Sequence, residues 1–93
     1  MDPVNGTLRY WAAAREAAGV AEEPYSAATL AQALDAAIAA HGGPAGALAR
    51  VLQRCAFVVD GDPVSRRDPA TVQLTEGGAI EVLPPFAGGA GRR

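Results

Sequence analysis

EGGAIEVLPPFAGG, residues 76–89, is the stretch on which the fold turns. Glu76-Gly77-Gly78 is a turn signal, because glycine takes up turn conformations freely. Residues 79–83 then read as a strand, with Ile80 and Val82 sharing one face. Pro84 and Pro85 end it: proline donates no backbone hydrogen bond, and its fixed φ holds the chain extended. Phe86 supplies an aromatic anchor. Ala87, Gly88 and Gly89 follow with almost no side-chain volume. From Pro84 to Gly89 the extended reach is roughly 20 Å at about 3.3 Å per residue. That carries a slender tip across a partner's surface into a narrow buried site. A glycine-rich terminus alone also describes a disordered tail. The order of strand, proline pair, aromatic and double glycine favours a working tip.

Outward from that strand, Asp60-Gly61 is a hairpin signal, since the pair tolerates the positive φ angles of a type I′ turn. It joins a strand over residues 56–60, carrying Phe57, Val58 and Val59, to a returning strand over residues 63–65. Residues 66–76 are polar and irregular, with Val72 and Leu74 as core anchors. Further back, Thr29 is an N-cap for the main helix. Leu30, Leu34, Ala37, Ile38 and His41 form its apolar stripe, and Gly42-Gly43-Pro44 ends it. A second helical piece covers residues 45–52. At the front, residues 4–11 read as a strand, and alanine-rich residues 12–18 as a short helix closed by Gly19. Residues 22–25 form a short strand that Pro24 marks as an edge.

This order predicts an α+β fold: a mixed sheet packed on one main helix with a short extra helix, the β-grasp or ubiquitin-like architecture. The first and last strands pair in parallel in that arrangement, across a crossover. A ferredoxin-like α+β sandwich uses similar elements. The expected organisation is one domain over residues 1–83 and a flexible tail over residues 84–93.

The bulk properties narrow the function. The 93 residues make one domain, and one this small buries only about two-thirds of its unfolded surface. Net charge is −2, with both signs scattered, which argues against a nucleic-acid footprint or a polybasic membrane anchor. Every basic side chain is arginine, so no side-chain amine is available for acylation. With so much alanine, that usage points to a GC-rich bacterial genome. Cys55 is the only cysteine and His41 the only histidine, which leaves no internal disulfide, zinc cluster or two-histidine metal site. No segment reads as a membrane span or a secretion signal, and the expected location is cytoplasmic. No nucleophile–base pair or phosphate loop is visible, so no intrinsic catalytic residue is expected.

Three segments carry a family resemblance. LRYWAAAREAAG (residues 8–19), FVVDGDPV (57–64) and EGGAIEVLPPFAGG (76–89) resemble, in order and spacing, the small sulfur-carrying subunit of molybdopterin synthase. Thiamine-pathway carriers and ubiquitin share the double glycine, but those carriers usually lack the AAAREAAG and LPPFAGG segments. The resemblance implies a β-grasp fold and a non-catalytic carrier. An E1-like adenylating enzyme, using ATP and magnesium, activates the terminal glycine, and sulfur then replaces the adenylate as a thiocarboxylate. The tail enters the large catalytic subunit, which passes sulfur to precursor Z (cyclic pyranopterin monophosphate). On this sequence Gly89 is the acyl carrier and Gly88 its slender neighbour. Leu83, Pro84, Pro85 and Phe86 form the tail and its partner contacts. No cofactor is bound by the carrier itself.

One feature departs from that family's pattern. Ala90-Gly91-Arg92-Arg93 follows Gly89, which locks the glycine carboxyl in a peptide bond. Burying two guanidinium groups in a dry tunnel costs several kcal/mol each unless they are paired. The favoured expectation is a protease that removes residues 90–93. A cloning remnant and a copy that only binds partners are the alternatives. A sulfur carrier for cysteine or thiamine biosynthesis, or a binding-only ubiquitin-like adaptor, are the competing functions.

Other residues have plainer readings. Arg15-Glu16 is a solvated pair or a partner contact, Cys55 a small hydrophobe, and His41 a helix-terminal residue interacting with the helix dipole. Asp60, Asp62 and Asp68 serve turns. Phe57, Val59 and Val64 are either core or an exposed apolar strip on the sheet.

Overall fold

The structure, a computed structural model, describes residues 2–85. Strands β1 (Val4–Tyr10) and β2 (Glu22–Ala27) flank helix α1 (Ala12–Ala18). Helices α2 (Leu30–Ala40) and α3 (Ala47–Leu52) follow. Strands β3 (Ala56–Val59), β4 (Asp62–Pro63) and β5 (Gly78–Leu83) complete the sheet, with a single 3-10 turn at Pro69–Thr71 before β5. The sheet order is β2-β1-β5-β3-β4. β5 lies at its centre, parallel to β1, with Leu8 opposite Ile80 and Tyr10 opposite Val82. It runs antiparallel to β3, with Ala56 opposite Leu83. This is the mixed-sheet β-grasp expected from the sequence.

The parallel centre explains the burial. Leu8, Ile80 and Val82 are almost wholly withdrawn from solvent, together with Leu30 of α2 and Leu48 of α3. Each such side chain contributes about 1.5–3 kcal/mol on leaving water. The helices come close because their inward residues are small: Ala14 and Ala18 of α1, and Ala33 and Ala37 of α2, all join the core. Val72 and Leu74 are buried as expected. Their backbone bonds to residues 28–30 hold the irregular segment against the start of α2, with Leu30 N donating to Val72 O and Leu74 N to Ala28 O.

Thr29 caps α2 as expected, its Oγ1 accepting from Gln32 N. Gln32 Oε1 answers by accepting from Ala28 N at 2.9 Å, a reciprocal arrangement close to a capping box. Gly19 closes α1 with φ +79°. Gly6 is needed for space: a Cβ there would collide with the ring of Tyr25 and the carbonyl of Gly78.

Several boundaries differ from expectation. Trp11 is not a strand residue but the N-cap of α1, and Ala12 after it takes φ +49° to turn the chain. β2 extends to Ala27 because it pairs with β1 from Val4, opposite Ala27, to Arg9, opposite Glu22; it is an edge strand, which Pro24 required. The returning hairpin strand is Asp62–Pro63 rather than residues 63–65. Asp60 and Gly61, with φ +52° and +81°, make a two-residue turn that brings Asp62 opposite Val59. Ser65, at φ +56°, then leaves the sheet.

Candidate functional site

The site is the root of the C-terminal tail, and β5 positions it. Ile80 and Val82 point into the core, so Glu81 and Leu83 belong to the opposite face of the sheet, where both are half-exposed. Pro84 is buried and Pro85 exposed, so burial ends at this dipeptide within the described residues. Of the expected tail residues, Leu83, Pro84 and Pro85 are therefore placed. Phe86, Gly88 and Gly89 lie outside the described residues, as do residues 90–93.

Trp11 stands beside this exit. Its backbone N–H donates to Val82 O at 3.2 Å, and its indole Nε1 donates to Glu81 Oε1 at 3.1 Å. The residue is nonetheless 49% exposed, a large apolar side chain beside the end of β5. Ala56 lies opposite Leu83, and Val58 lies opposite both Glu81 and Pro63. Small and apolar residues thus gather on this face near the tail. Arg9 is opposite Glu81 on one side and Glu22 on the other, and its Nε lies 3.9 Å from Glu22 Oε1. Such an exposed pair contributes at most about 1 kcal/mol, so it sets charge on this face more than stability.

The apolar strip expected as one reading of Phe57, Val59 and Val64 is not at the surface. Val59 and Val64 are buried, and Phe57 packs half-buried against the core. Strand alternation puts Phe57 and Val59 on the inner face and leaves Ala56 and Val58 outside. Sequence reasoning missed Trp11 because it ended a run that read as strand. The signal available was the alanine-rich helix that starts directly after it.

The remaining candidates are structural. Asp60 Oδ1 accepts from Ala79 N at 2.8 Å, and Oδ2 accepts from Thr75 Oγ1 at 2.7 Å, which ties the hairpin turn to the start of β5. Asp62 pairs with Arg67, and Asp68 caps the 3-10 turn through Ala70 N. Arg15 and Glu16 are exposed and line a shallow depression with Val20. His41 does more than end α2: its Nε2 donates to Glu23 Oε2 at 2.7 Å. The same oxygen accepts from Tyr10 O–H at 2.5 Å. The three side chains join β1, β2 and α2. Burial, then the hydrogen bond to Glu23 and its negative charge, pushes the Tyr10 hydroxyl well above the usual tyrosine range. Cys55 Sγ donates to Val51 O at 3.2 Å, and burial pushes its thiol up to about 11. Among the described residues, no three His, Cys, Asp or Glu side chains gather as a metal site would require. No helix among them is long and apolar enough to cross a membrane.

The model of the ThiS family matches residues 8–89. Among solved structures, the small archaeal modifier protein 1 of Methanosarcina acetivorans superposes with a TM-score of 0.79 at 20% identity, covering 95% of this chain and 99% of that one. The HVO 2177 protein of Haloferax volcanii gives 0.73 at 25% identity, with 94% and 88% covered. A Pyrococcus furiosus protein described as a candidate molybdopterin converting factor subunit 1 gives 0.67 at 18% identity, with 89% and 99% covered. No curated protein sequence matches significantly.

Proposed function

The chain belongs to the ThiS family, and from that premise we propose that it is the sulfur-carrying small subunit of molybdopterin synthase. The family comprises small sulfur carriers and ubiquitin-like modifiers that are generally non-catalytic. The observation that carries the finer reading is the sequence at the exit from β5. The central strand delivers Leu83-Pro84-Pro85 between Trp11 and the start of β3, and the residues that follow are Phe86-Ala87-Gly88-Gly89. The structural likeness to the Pyrococcus furiosus protein is consistent with this reading.

In the proposed cycle a protease first removes residues 90–93 and frees the Gly89 carboxylate. An E1-like enzyme in the cytoplasm, using ATP and magnesium, then activates it. A carboxylate oxygen attacks the α-phosphorus, pyrophosphate leaves, and an acyl adenylate forms. A sulfur nucleophile adds to the carbonyl and AMP departs, leaving a thiocarboxylate. Glycine leaves that carbonyl open to attack. The domain supplies docking surface, with Leu83 and Trp11 as apolar contacts, and neither acid nor base.

The large catalytic subunit then passes the sulfur to precursor Z. Adding chemically prepared Gly89 thiocarboxylate to that subunit with precursor Z tests the pathway. Molybdopterin is the expected product. No product from a subunit active with its own carrier assigns the chain to another sulfur pathway. The likeness to the archaeal modifier favours a second reading, in which the activated glycine is joined to a protein amine.

A further inference from the structure

An activated glycine carboxyl on a tail is exposed first of all to its own domain. A nucleophile tethered within reach of it sees the electrophile at an effective concentration on the order of millimolar. A fully extended chain from residue 84 to residue 89 would reach at most roughly 20 Å, which would put the surface around Pro84 within range. Three exposed basic residues stand there. Arg9 is opposite Glu81 in β1. Arg15 is on α1, which packs against β5. Arg54 precedes by two residues Ala56, the partner of Leu83. All three are arginine, as is every basic side chain in the sequence. Guanidinium stays protonated and offers no free lone pair, whereas lysine's amine is a ready acyl acceptor. The remaining strong nucleophile, Cys55, is half-buried with its S–H bonded to Val51 O.

We propose that the domain is inert toward its own activated C-terminus, so that the chain is a strictly single acyl donor. Sulfide or a partner's amine takes the acyl group, and no side chain of another copy serves as acceptor. As a modifier it would be attached singly, without side-chain-linked polymers. This rests on the reading that Gly89 is the activated residue. The reaction avoided is simple aminolysis. A lysine nitrogen would bond to the Gly89 carbonyl, the bond to AMP or thiol would break, and the amine proton would leave with the departing group or to water. Coding bias accounts for arginine over lysine as a composition, and the consequence for reactivity is the same.

The test needs no activating enzyme, so it is separable from the function proposed above. The chain ending at Gly89 is prepared as a small-thiol thioester with an acetylated amino terminus. It is incubated at mildly alkaline pH beside Arg15→Lys and Arg54→Lys, both at exposed positions. The parent should give only the hydrolysed acid. The lysine variants should give at least about tenfold more cyclised or cross-linked product, detected by intact mass, with unchanged thermal unfolding. Cyclised or cross-linked parent overturns the proposal. So do lysine variants that stay as clean as the parent. If this result holds but the activating enzyme refuses the chain, it is the functional reading that fails.

Discussion

Asp60→Ala is expected to loosen the junction on which the tail strand rests. Asp60 sits at φ +52° in the hairpin turn, and its carboxylate holds Ala79 N and Thr75 Oγ1 at 2.8 and 2.7 Å. Both bonds are solvent-exposed, so water replaces part of each, and about 0.5–1 kcal/mol apiece is a fair net value. An alanine in the left-handed region costs about 1 kcal/mol more, because its Cβ crowds the carbonyl where aspartate and asparagine are better tolerated. The sum is about 2–3 kcal/mol, or roughly 10–20 °C in melting temperature for a domain of this size. Asp60→Asn keeps the turn conformation and one acceptor oxygen, and should lose only about 1 kcal/mol. Urea unfolding followed by fluorescence of Trp11, the only tryptophan, measures both. An alanine variant within about 0.5 kcal/mol of the parent, or an asparagine variant as weak as alanine, would show that Asp60 does not anchor β5 in the way described.

Other consequences follow from the same contacts. Cys55, with its thiol pushed up to about 11 against an ordinary 9.0, should react with iodoacetamide near neutral pH about a hundredfold more slowly than an exposed thiol; a rate equal to that of a free cysteine would contradict its burial. Tyr10 and Tyr25 are both held protonated beyond the ordinary value of 10.0, chiefly by burial. Their raised folded-state values leave stability untouched below about pH 10. Above it the unfolded chain releases protons that the folded chain keeps, so stability should fall by up to about 1.4 kcal/mol per pH unit through Tyr10, with Tyr25 acting in the same direction. Denaturation midpoints across that range check this, and a flat profile would refute it. Leu83→Glu, on the half-exposed outer face, should change stability by less than about 1 kcal/mol yet weaken binding to the activating enzyme at least about tenfold. Unchanged affinity in calorimetry would remove Leu83 from the docking surface.

What the sequence made legible was what local chemistry decides. Thr29, Gly19, the proline pair and Asp60-Gly61 each mark a boundary through their own backbone preferences, and the structure places them there. Ile80 and Val82 announced their face through alternation alone. The 3-10 turn was not read: residues 66–76 looked only like an irregular polar run, although Asp68 before Pro69 is a capping residue followed by a first-turn proline. Long-range pairing was less legible. The length of β2 depends on β1, and β4 is cut short where Ser65 turns away from the sheet. The Glu23 carboxylate meets Tyr10 and His41 only because β1, β2 and the end of α2 converge. Trp11 was legible only through the alanine-rich helix that starts after it, at the corner that Ala12 makes with φ +49°.

The central claim is that Gly89 carries the sulfur, and its most direct test is intact mass. The chain ending at Gly89 is incubated with a competent activating enzyme, ATP, magnesium and sulfide. The account expects one sulfur in place of one oxygen at the C-terminal glycine, and no change in the chain that retains residues 90–93. An unmodified Gly89 form, from an enzyme that loads its own carrier in the same tube, would mean that this chain is not a sulfur carrier.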